Sequence, residues 1–264
     1  GIAIGVASVV LISTIGDVGK KVINDELDSL GIGSIMIKTE KNAKSTVLGA
    51  DDLSQIQSVE GVEDAIPIMM DVSRLEAKNT QTDCVVWGID AGAKQVLSLQ
   101  ALHGRLIAKS DVASHASVCL VDEDFAKATY GRSNIVGKTL PITLGGTTID
   151  CSVIGVVKSG ASMLQNLISD YVPSFVYLPY STIQQFSGKT SFDQIAVKLA
   201  SGYDEDEMGH QLVQTLELKK GQPDSLVSDN IAKQKEQLNS ILNTVALVLA
   251  AIAAISLLVA GLAS

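Results

Sequence analysis

The segment Gly131–Thr139 is the part of the sequence most suggestive of chemistry, because it ends in Gly-Lys-Thr. A phosphate-binding loop ends in Gly-Lys-Ser/Thr and requires an earlier glycine, with four residues between the two glycines, so that backbone N–H groups surround the phosphates. Arg132 occupies the position of that earlier glycine, and Gly131 lies one residue too far away. The spacing therefore argues against a nucleotide site.

The patterns on either side of this segment point the same way. A phosphate-binding loop runs from a strand into a helix, so that the helix N-terminus faces the anion. Here residues 122–131 have the pattern of a helix and residues 138–144 that of a strand, which is the reverse order. We predict a surface turn with Lys138 in solvent.

The other residue types that build active sites are scattered along the chain. His103, His115 and His210 have no metal-ligand spacing, and neither a nucleophile elbow nor a dinucleotide-binding glycine pattern occurs. The acidic run Asp204–Glu207 lacks the alternating ligands of a calcium loop and is typical of a helix N-terminus, where the dipole favours negative charge. We predict that the chain is not an enzyme and has no catalytic, cofactor-binding or metal-binding residues.

The three cysteines, Cys84, Cys119 and Cys151, form no Cys-x-x-Cys pair, so their spacing signals neither a zinc site nor a disulfide framework. We predict that they are small buried hydrophobic residues on strands. One disulfide with one free thiol is the alternative.

Composition sets broader limits on the kind of protein. The chain has 264 residues, of which 46% are hydrophobic, enough for one large core or two small ones. The formal charge of −9, with no basic run, argues against a nucleic-acid partner.

The two ends of the chain are its most informative feature. Residues 241–264 carry no charge and would form a helix of about 36 Å, long enough for a hydrocarbon core of about 30 Å. Residues 1–16 are also uncharged but would reach only about 24 Å. They are compatible with a buried core helix, a signal-peptide core or part of a membrane helix. We interpret them as the outer part of a first membrane helix, which makes the chain a fragment of a longer protein, since a signal peptide's basic start and cleavage site are missing.

With a membrane helix at each end, residues 17–236 must lie on one side of the membrane. The mixed charges beside both helices do not decide which side this is. Apolar residues at helical spacing predict a stalk next to each span; they are Val18, Val22, Leu27, Ile231 and Leu238. The alternative is that these helices lie at the edge of a domain and pack on a sheet.

Between the stalks the pattern is that of an α+β protein. Residues 62–90 predict a long antiparallel strand pair, and residues 140–157 predict a hairpin turning on Gly145-Gly146. The helix-bearing segments near the two ends of the chain are more similar to each other than either is to the β-rich middle. We therefore predict a discontinuous domain with another domain inserted into it.

The chain resembles the MacB/FtsX-like ABC transporter permeases in several segments with the same order and spacing. Residues 1–31 are similar to the first membrane helix and stalk of that family, and residues 103–111 to its Gly-Arg motif. Further similar segments are "NIVGKTLPI" with "CSVIGVV", "VYLPYST" and "AAISLLVAGLAS". Ala260 departs from the family pattern, where a glycine is common. The Gly-Lys-Thr triplet thus resembles a structural turn before a hairpin.

This resemblance implies an extracellular or periplasmic domain between membrane helices one and two of a multi-pass permease in the cell membrane. It implies a mixed α/β porter-like part and an inserted β-rich sabre-like part. The predicted boundaries are residues 1–16 for the first membrane helix, 17–90 and 191–236 for the porter-like part, 91–190 for the sabre-like part and 237–264 for the second membrane helix.

The function implied by the resemblance is mechanical coupling of cytoplasmic ATP hydrolysis to export or release of a substrate. The implied partners are a cytoplasmic ABC ATP-binding subunit, a second permease subunit, a membrane-fusion or substrate-carrier protein, and membrane lipid. The alternative is a two-span signalling receptor, which predicts a concave outer pocket with convergent polar groups. A hydrolase comes third, because the catalytic residues it needs are missing.

The loop of residues 159–173 carries Met163, Leu164, Leu167 and Ile168 between polar flanks. Exposed apolar patches usually mark interfaces, so we predict a partner or dimer contact there. The alternative is that the loop folds back over its own sheet.

Overall fold

The computed structural model describes residues 35–43, 45–78, 80–97, 99–158 and 174–230, and the helical positions 233, 240, 244 and 247–255. Contacts divide the chain into one unit of residues 29–231 and a second formed by its two ends. The strands are β1 Ile35–Thr39, β2 Val62–Ala77, β3 Thr80–Ile89, β4 Ala101–Gly104, β5 Val118–Asp122, β6 Thr139–Leu144, β7 Thr147–Val157, β8 Ser174–Pro179, β9 Gln194–Leu199 and β10 Leu226–Asn230. The helices are α1 Ala50–Gln57, α2 Ala93–Val96, α3 Lys109–Ala113, α4 Glu123–Tyr130, α5 Tyr180–Ser187 and α6 Glu205–Lys220.

The strands form one sheet in the order β10-β1-β9-β2-β3-β8-β5-β7-β4, with β6 joining β2 to β7. The long strand β2 belongs to two parts of it. Its first half, through Ile68, pairs with β9, and its second half, from Met69, pairs with β3. β2 therefore connects a four-stranded part, β10-β1-β9-β2, to the remaining strands.

Burial along β2 explains why it serves both parts. Residues 65–69 are all buried, which is typical of a strand covered on both faces. From Met70 onward exposed residues alternate with buried or half-buried ones, which is typical of a strand with one covered face. The change of pattern marks the place where the strand changes partners.

Both faces of the four-stranded part are covered. Ile35, Ile37 and Val197 point to the face on which α1 and α6 pack, and Met36 and Ala196 point to the face covered by α2. This alternation follows from the two-residue period of a strand.

The remaining strands close into a ring, β2-β3-β8-β5-β7-β6, in which β6 returns to β2 through the single pair Leu75 and Ile142. Cys84, Cys119 and Cys151 are buried in the core enclosed by this ring, and all three are free thiols. Their predicted burial on strands is confirmed.

Local signals in the sequence set several helix ends. Asp204 accepts a hydrogen bond from the backbone N–H of Glu207, and Asp122 does the same for Phe125, so each carboxylate caps a helix. The acidic run at 204–207 lies at the start of α6, as predicted. Gly131 ends α4 with φ of 68°, a conformation that favours glycine.

The predicted α+β fold is confirmed, and the hairpin does turn on Gly145 and Gly146, whose φ values are 55° and 86°. Helix α2 is a single turn, Ala93–Val96. Strand β4 and helix α3 were not predicted. The porter-like and sabre-like boundaries stay a prediction.

Several predictions fall on residues outside the described ranges. These are the span and stalk of residues 1–30, the stalk residues Ile231 and Leu238, most of the span 237–264, and the apolar loop 159–173. Residues 247–255 form a helix. Within the described ranges, no helix has both the length and the apolar character to cross a membrane.

Candidate functional site

The turn that contains Lys138 is held by backbone hydrogen bonds. The N–H of Gly137 donates to the carbonyl of Val153, and the N–H of Val153 donates to the carbonyl of Lys138. The Lys138 side chain is exposed, α4 precedes the turn and β6 follows it. The predicted order of helix, turn and strand is confirmed, and the turn's amides serve the hairpin.

The Gly-Arg motif at residues 104–105 has a structural basis. A methyl group on Gly104 would lie 2.2 Å from the carbonyl oxygen of Ile154, so only glycine allows this approach. Arg105 forms two hydrogen bonds with Asp111, of 2.6 and 3.0 Å, and Asp111 also accepts from the backbone N–H of Ala108. Asp111 thus caps α3 and fixes it to β4.

The histidines contact single polar groups. His103 Nε2 lies 3.1 Å from the hydroxyl of Ser133, and His115 Nδ1 lies 3.0 Å from the carbonyl of Ser181. Within the described ranges no group of three or more His, Cys, Asp or Glu residues could hold a metal ion. The expectation that the chain has no catalytic residues stays a prediction.

The two ends of the folded core lie side by side. Ile35, the first described residue, is the register partner of Asn230 at the end of β10, and the pairing continues to Thr39 and Leu226. Asn230 also donates a 3.0 Å hydrogen bond to Asp206 in the first turn of α6. The chain therefore joins and leaves the core at one end of one strand pair.

An ion pair also joins the two strands. The ammonium of Lys38 in β1 contacts the carboxylate of Asp229 in β10, and both side chains are partly exposed. Such an exposed pair is worth little stability. Its position shows that β1 and β10 are joined by side chains as well as by their backbones.

The opposite end of this strand pair carries an open cavity of about 610 Å³. It is lined mainly by polar residues of the loops around the end of β1 and the start of β10, namely Asn42, Ala43, Ser45, Thr46, Gln222, Pro223, Asp224 and Ser225. Asp224 has φ of 53°, which is uncommon for a residue other than glycine. The side chains of Thr46 and Gln222 are joined by a 2.9 Å hydrogen bond.

Comparison with known proteins places this arrangement in a family. The sequence model of the MacB-like periplasmic core domain matches residues 1–215. The chain belongs to this family. The MacB/FtsX-like resemblance seen in the sequence is thereby confirmed.

Similar proteins include the macrolide export ATP-binding/permease protein MacB of Neisseria gonorrhoeae, 28% identical over 271 residues, and MacB of Shigella dysenteriae, 28% identical over 272 residues. Each alignment covers 99% of this chain and 40% of the relative. The chain thus spans well under half the length of these curated relatives.

Two solved structures share the fold of the MacB-like core domain. The periplasmic region of MacB from Actinobacillus actinomycetemcomitans has a TM-score of 0.64 at 20% identity, covering 82% of this chain and 97% of that one. The extracellular domain of the ABC-type transporter YknZ from Gram-positive bacteria has a TM-score of 0.60 at 20% identity, covering 74% and 99%.

Sequence reasoning assigned no site residues, and the pairing of Ile35 with Asn230 joins residues far apart in the chain. The only local feature of the sequence that hinted at this pairing was that each residue lies next to a segment with the pattern of a stalk.

Proposed function

We propose that this chain is the extracytoplasmic core domain, with its flanking membrane segments, of an ABC transporter permease. In this proposal it couples cytoplasmic ATP hydrolysis mechanically to export or release of a substrate. The observation that carries the proposal is the pairing of Ile35 with Asn230, which brings the two connections to the flanking segments together.

Paired strands lie about 4.8 Å apart and are joined along their length by backbone hydrogen bonds. Five register pairs connect β1 to β10. A displacement of either flanking segment therefore acts on the same end of the sheet, and the sheet must move as a body or break these bonds. Domain movements of this kind are a common way to transmit a conformational change.

The proposed partners follow from this role. They are a cytoplasmic ATP-binding subunit or domain, a second permease subunit, a membrane-fusion or substrate-carrier protein, and lipid around the flanking helices. The names of the two relatives combine ATP binding, permease and macrolide export, which supports the first of these partners and suggests macrolides as first probes. The proposed location is the cell membrane, with the core domain outside the cytoplasm.

The proposed division of the core keeps residues 17–90 and 191–236 as the porter-like part and 91–190 as the sabre-like part. Strands β4 to β8 fall within the sabre-like part, and β1, β9 and β10 fall within the porter-like part. The second half of β2 and all of β3 join the ring from the porter-like side, so β2 would be the structural link between the two parts.

The test interrupts the connection between the core and the membrane. Replacing Asn239 and Ser240 with Gly-Gly-Ser-Gly puts flexible residues where the predicted second stalk continues into the membrane helix, in a segment that contains neither Gly nor Pro between Lys233 and Leu242. ATP hydrolysis and macrolide transport are measured in vesicles with the ATP-binding partner. We expect hydrolysis to continue and transport to be lost, whereas transport at the wild-type rate contradicts coupling through this segment.

A two-span receptor is the second candidate, and the polar cavity of about 610 Å³ is the observation that favours it. A receptor that only presents a binding surface should keep its ligand affinity after the same replacement. Retained affinity together with no effect of any ligand on ATP hydrolysis would support the receptor.

A further inference from the structure

Two carboxylates come close to Gly92, which lies between the end of β3 and the start of α2. A methyl group on Gly92 would lie 2.9 Å from Oδ2 of Asp64 and 3.1 Å from Oδ1 of Asp90, so the two oxygens are at most about 6 Å apart. Asp90 Oδ1 accepts a 2.8 Å hydrogen bond from the N–H of Gly92, and Asp64 Oδ1 accepts one from the N–H of Ala65.

Each carboxylate belongs to a different element. Asp64 lies in β2, next to the irregularity in its pairing with β9, and Asp90 follows the last residue of β3. The same methyl group on Gly92 would lie 2.6 Å from the side chain of Ile66. The acid pair therefore lies where the segment leading into α2 comes closest to β2.

The surroundings supply little compensating charge. Both aspartates are half-buried, and within the described ranges no ion pair involves either carboxylate. Lys109 of α3 acts on Asp90 from a longer distance, and Tyr180 of α5 is the other titratable group that faces it. Burial of Asp90 and the like charge of Asp64 nearby both favour the protonated form of Asp90.

We propose that Asp64 and Asp90 form a proton-sensitive clasp that holds the segment 90–97 against β2 more firmly at mildly acidic pH than at neutral pH. Ala93, Val96 and Leu97 pack into the apolar cluster on this face of the sheet, together with Ile66 and Ile68. Loosening of the clasp would expose that cluster, so the proton controls access to an apolar surface of the core domain.

The direction of the effect follows from the pKa of Asp90. Burial, with a smaller contribution from Asp64, raises this pKa from 3.8 to about 6 in the folded chain. An acid whose pKa is raised on folding binds its proton more tightly in the closed state, so closure is favoured below the ordinary pKa. That advantage is lost as the pH rises from about 4 through about 6.

Hydrogen exchange on the full chain in detergent tests the clasp. Amides of residues 90–97 are followed at about pH 5 and about pH 7.5, with rates corrected for intrinsic exchange, and the linkage predicts about tenfold more opening at the higher pH. Asp90→Asn should remove this dependence and keep the segment closed at both values. Glu76→Gln, which neutralises an exposed acid on β2, should leave the dependence intact.

Equal opening of the wild-type segment at the two pH values would overturn the proposal, as would an unchanged dependence in Asp90→Asn. If that variant does not fold, a carboxyl NMR titration of wild-type Asp90 decides, and a midpoint below about pH 5 rejects the clasp. The experiment involves no transport, so its failure is distinct from failure of the proposed function.

Discussion

Asp193 accepts a 2.7 Å hydrogen bond from the backbone N–H of Met70, two residues after Ile68, the last residue of β2 that pairs with β9. The N–H of Asp193 in turn donates to the carbonyl of Ile68 at 2.9 Å. One residue therefore satisfies two backbone groups of β2 at the point where this strand passes from one part of the sheet to the other. A split in a sheet leaves such groups without strand partners, and leaving them unpaired is costly.

We expect Asp193→Ala to lower the free energy of unfolding by about 1 to 2 kcal/mol, because the Met70 N–H loses its acceptor. Urea denaturation followed by circular dichroism measures the change. Lys189→Ala is the matched control, since it removes the ion pair of Asp193 but keeps the acceptor, and it should cost less than about 0.5 kcal/mol. Equal losses in the two variants would assign the effect to the ion pair.

The contrast between Asp193 and the helix-capping aspartates shows which parts of the fold could be predicted. Asp122 and Asp204 each bond an N–H three residues further along, so the local sequence was enough to place α4 and α6. Asp193 bonds a residue 123 positions away, and no local pattern identifies that partner. Most helices and strands could be predicted because the patterns that identify them are also local. Closure of the ring could not be predicted, since it depends on the pairing of Leu75 with Ile142, which lie far apart in the chain.

The candidate site was harder to predict than the fold. The pairing of Ile35 with Asn230 and the approach of Asp64 to Asp90 both join residues whose own neighbours carry no motif. The Gly-Arg motif was noticed only as part of a family resemblance. Its physical basis, a glycine against a carbonyl oxygen and an arginine on a helix cap, requires the positions of β7 and α3.

The ion pair of Arg105 with Asp111 should give a pH-dependent contribution to stability. Hydrogen bonding to Arg105 lowers the pKa of Asp111 below its ordinary value. The contribution is therefore present above the unfolded pKa of about 4 and is lost as the pH falls through the lower folded pKa. Asp111→Asn should cost about 1 kcal/mol at neutral pH, a modest value because Arg105 is half exposed, and less at about pH 3.

Denaturant titrations of wild type and Asp111→Asn at the two pH values give this comparison. Asp83→Asn serves as the control, because its partner Arg74 and Asp83 itself are both well exposed. If Asp111→Asn lowers the free energy of unfolding equally at both pH values, the loss does not come from the missing charge.

The three thiols should be unreactive in the folded chain. Burial raises the pKa of both Cys84 and Cys151 to about 12 and that of Cys119 far above its ordinary value, so little thiolate forms at about pH 8. We expect a disulfide-exchange reagent to label no cysteine under native conditions and all three in guanidinium chloride. Labelling of only one cysteine after unfolding without reductant would instead support one disulfide with one free thiol.

Lys138 should be dispensable for nucleotide binding, because its turn uses its backbone amides to hold the hairpin. We expect the isolated chain to show no micromolar affinity for ATP by isothermal titration calorimetry. Micromolar binding that disappears in Lys138→Ala would refute this interpretation of the Gly-Lys-Thr triplet.

Gly104 and Gly131 allow the steric basis of the Gly-Arg motif to be separated from the backbone preference of glycine. Their φ values are nearly the same, 71° and 68°, so alanine at either position bears a similar cost for the left-handed conformation, about 1 kcal/mol. The surroundings differ, because a methyl group on Gly104 would lie 2.2 Å from the carbonyl oxygen of Ile154, whereas one on Gly131 meets no atom within 4 Å.

Gly131→Ala should therefore remain folded with a loss of about 1 kcal/mol. Gly104→Ala should lose at least about 2 kcal/mol more, since β4 must move away from β7 to relieve the overlap. Thermal and urea denaturation of the two variants measure the difference, and equal stabilities would show that β4 yields without cost and that backbone conformation alone requires glycine at position 104.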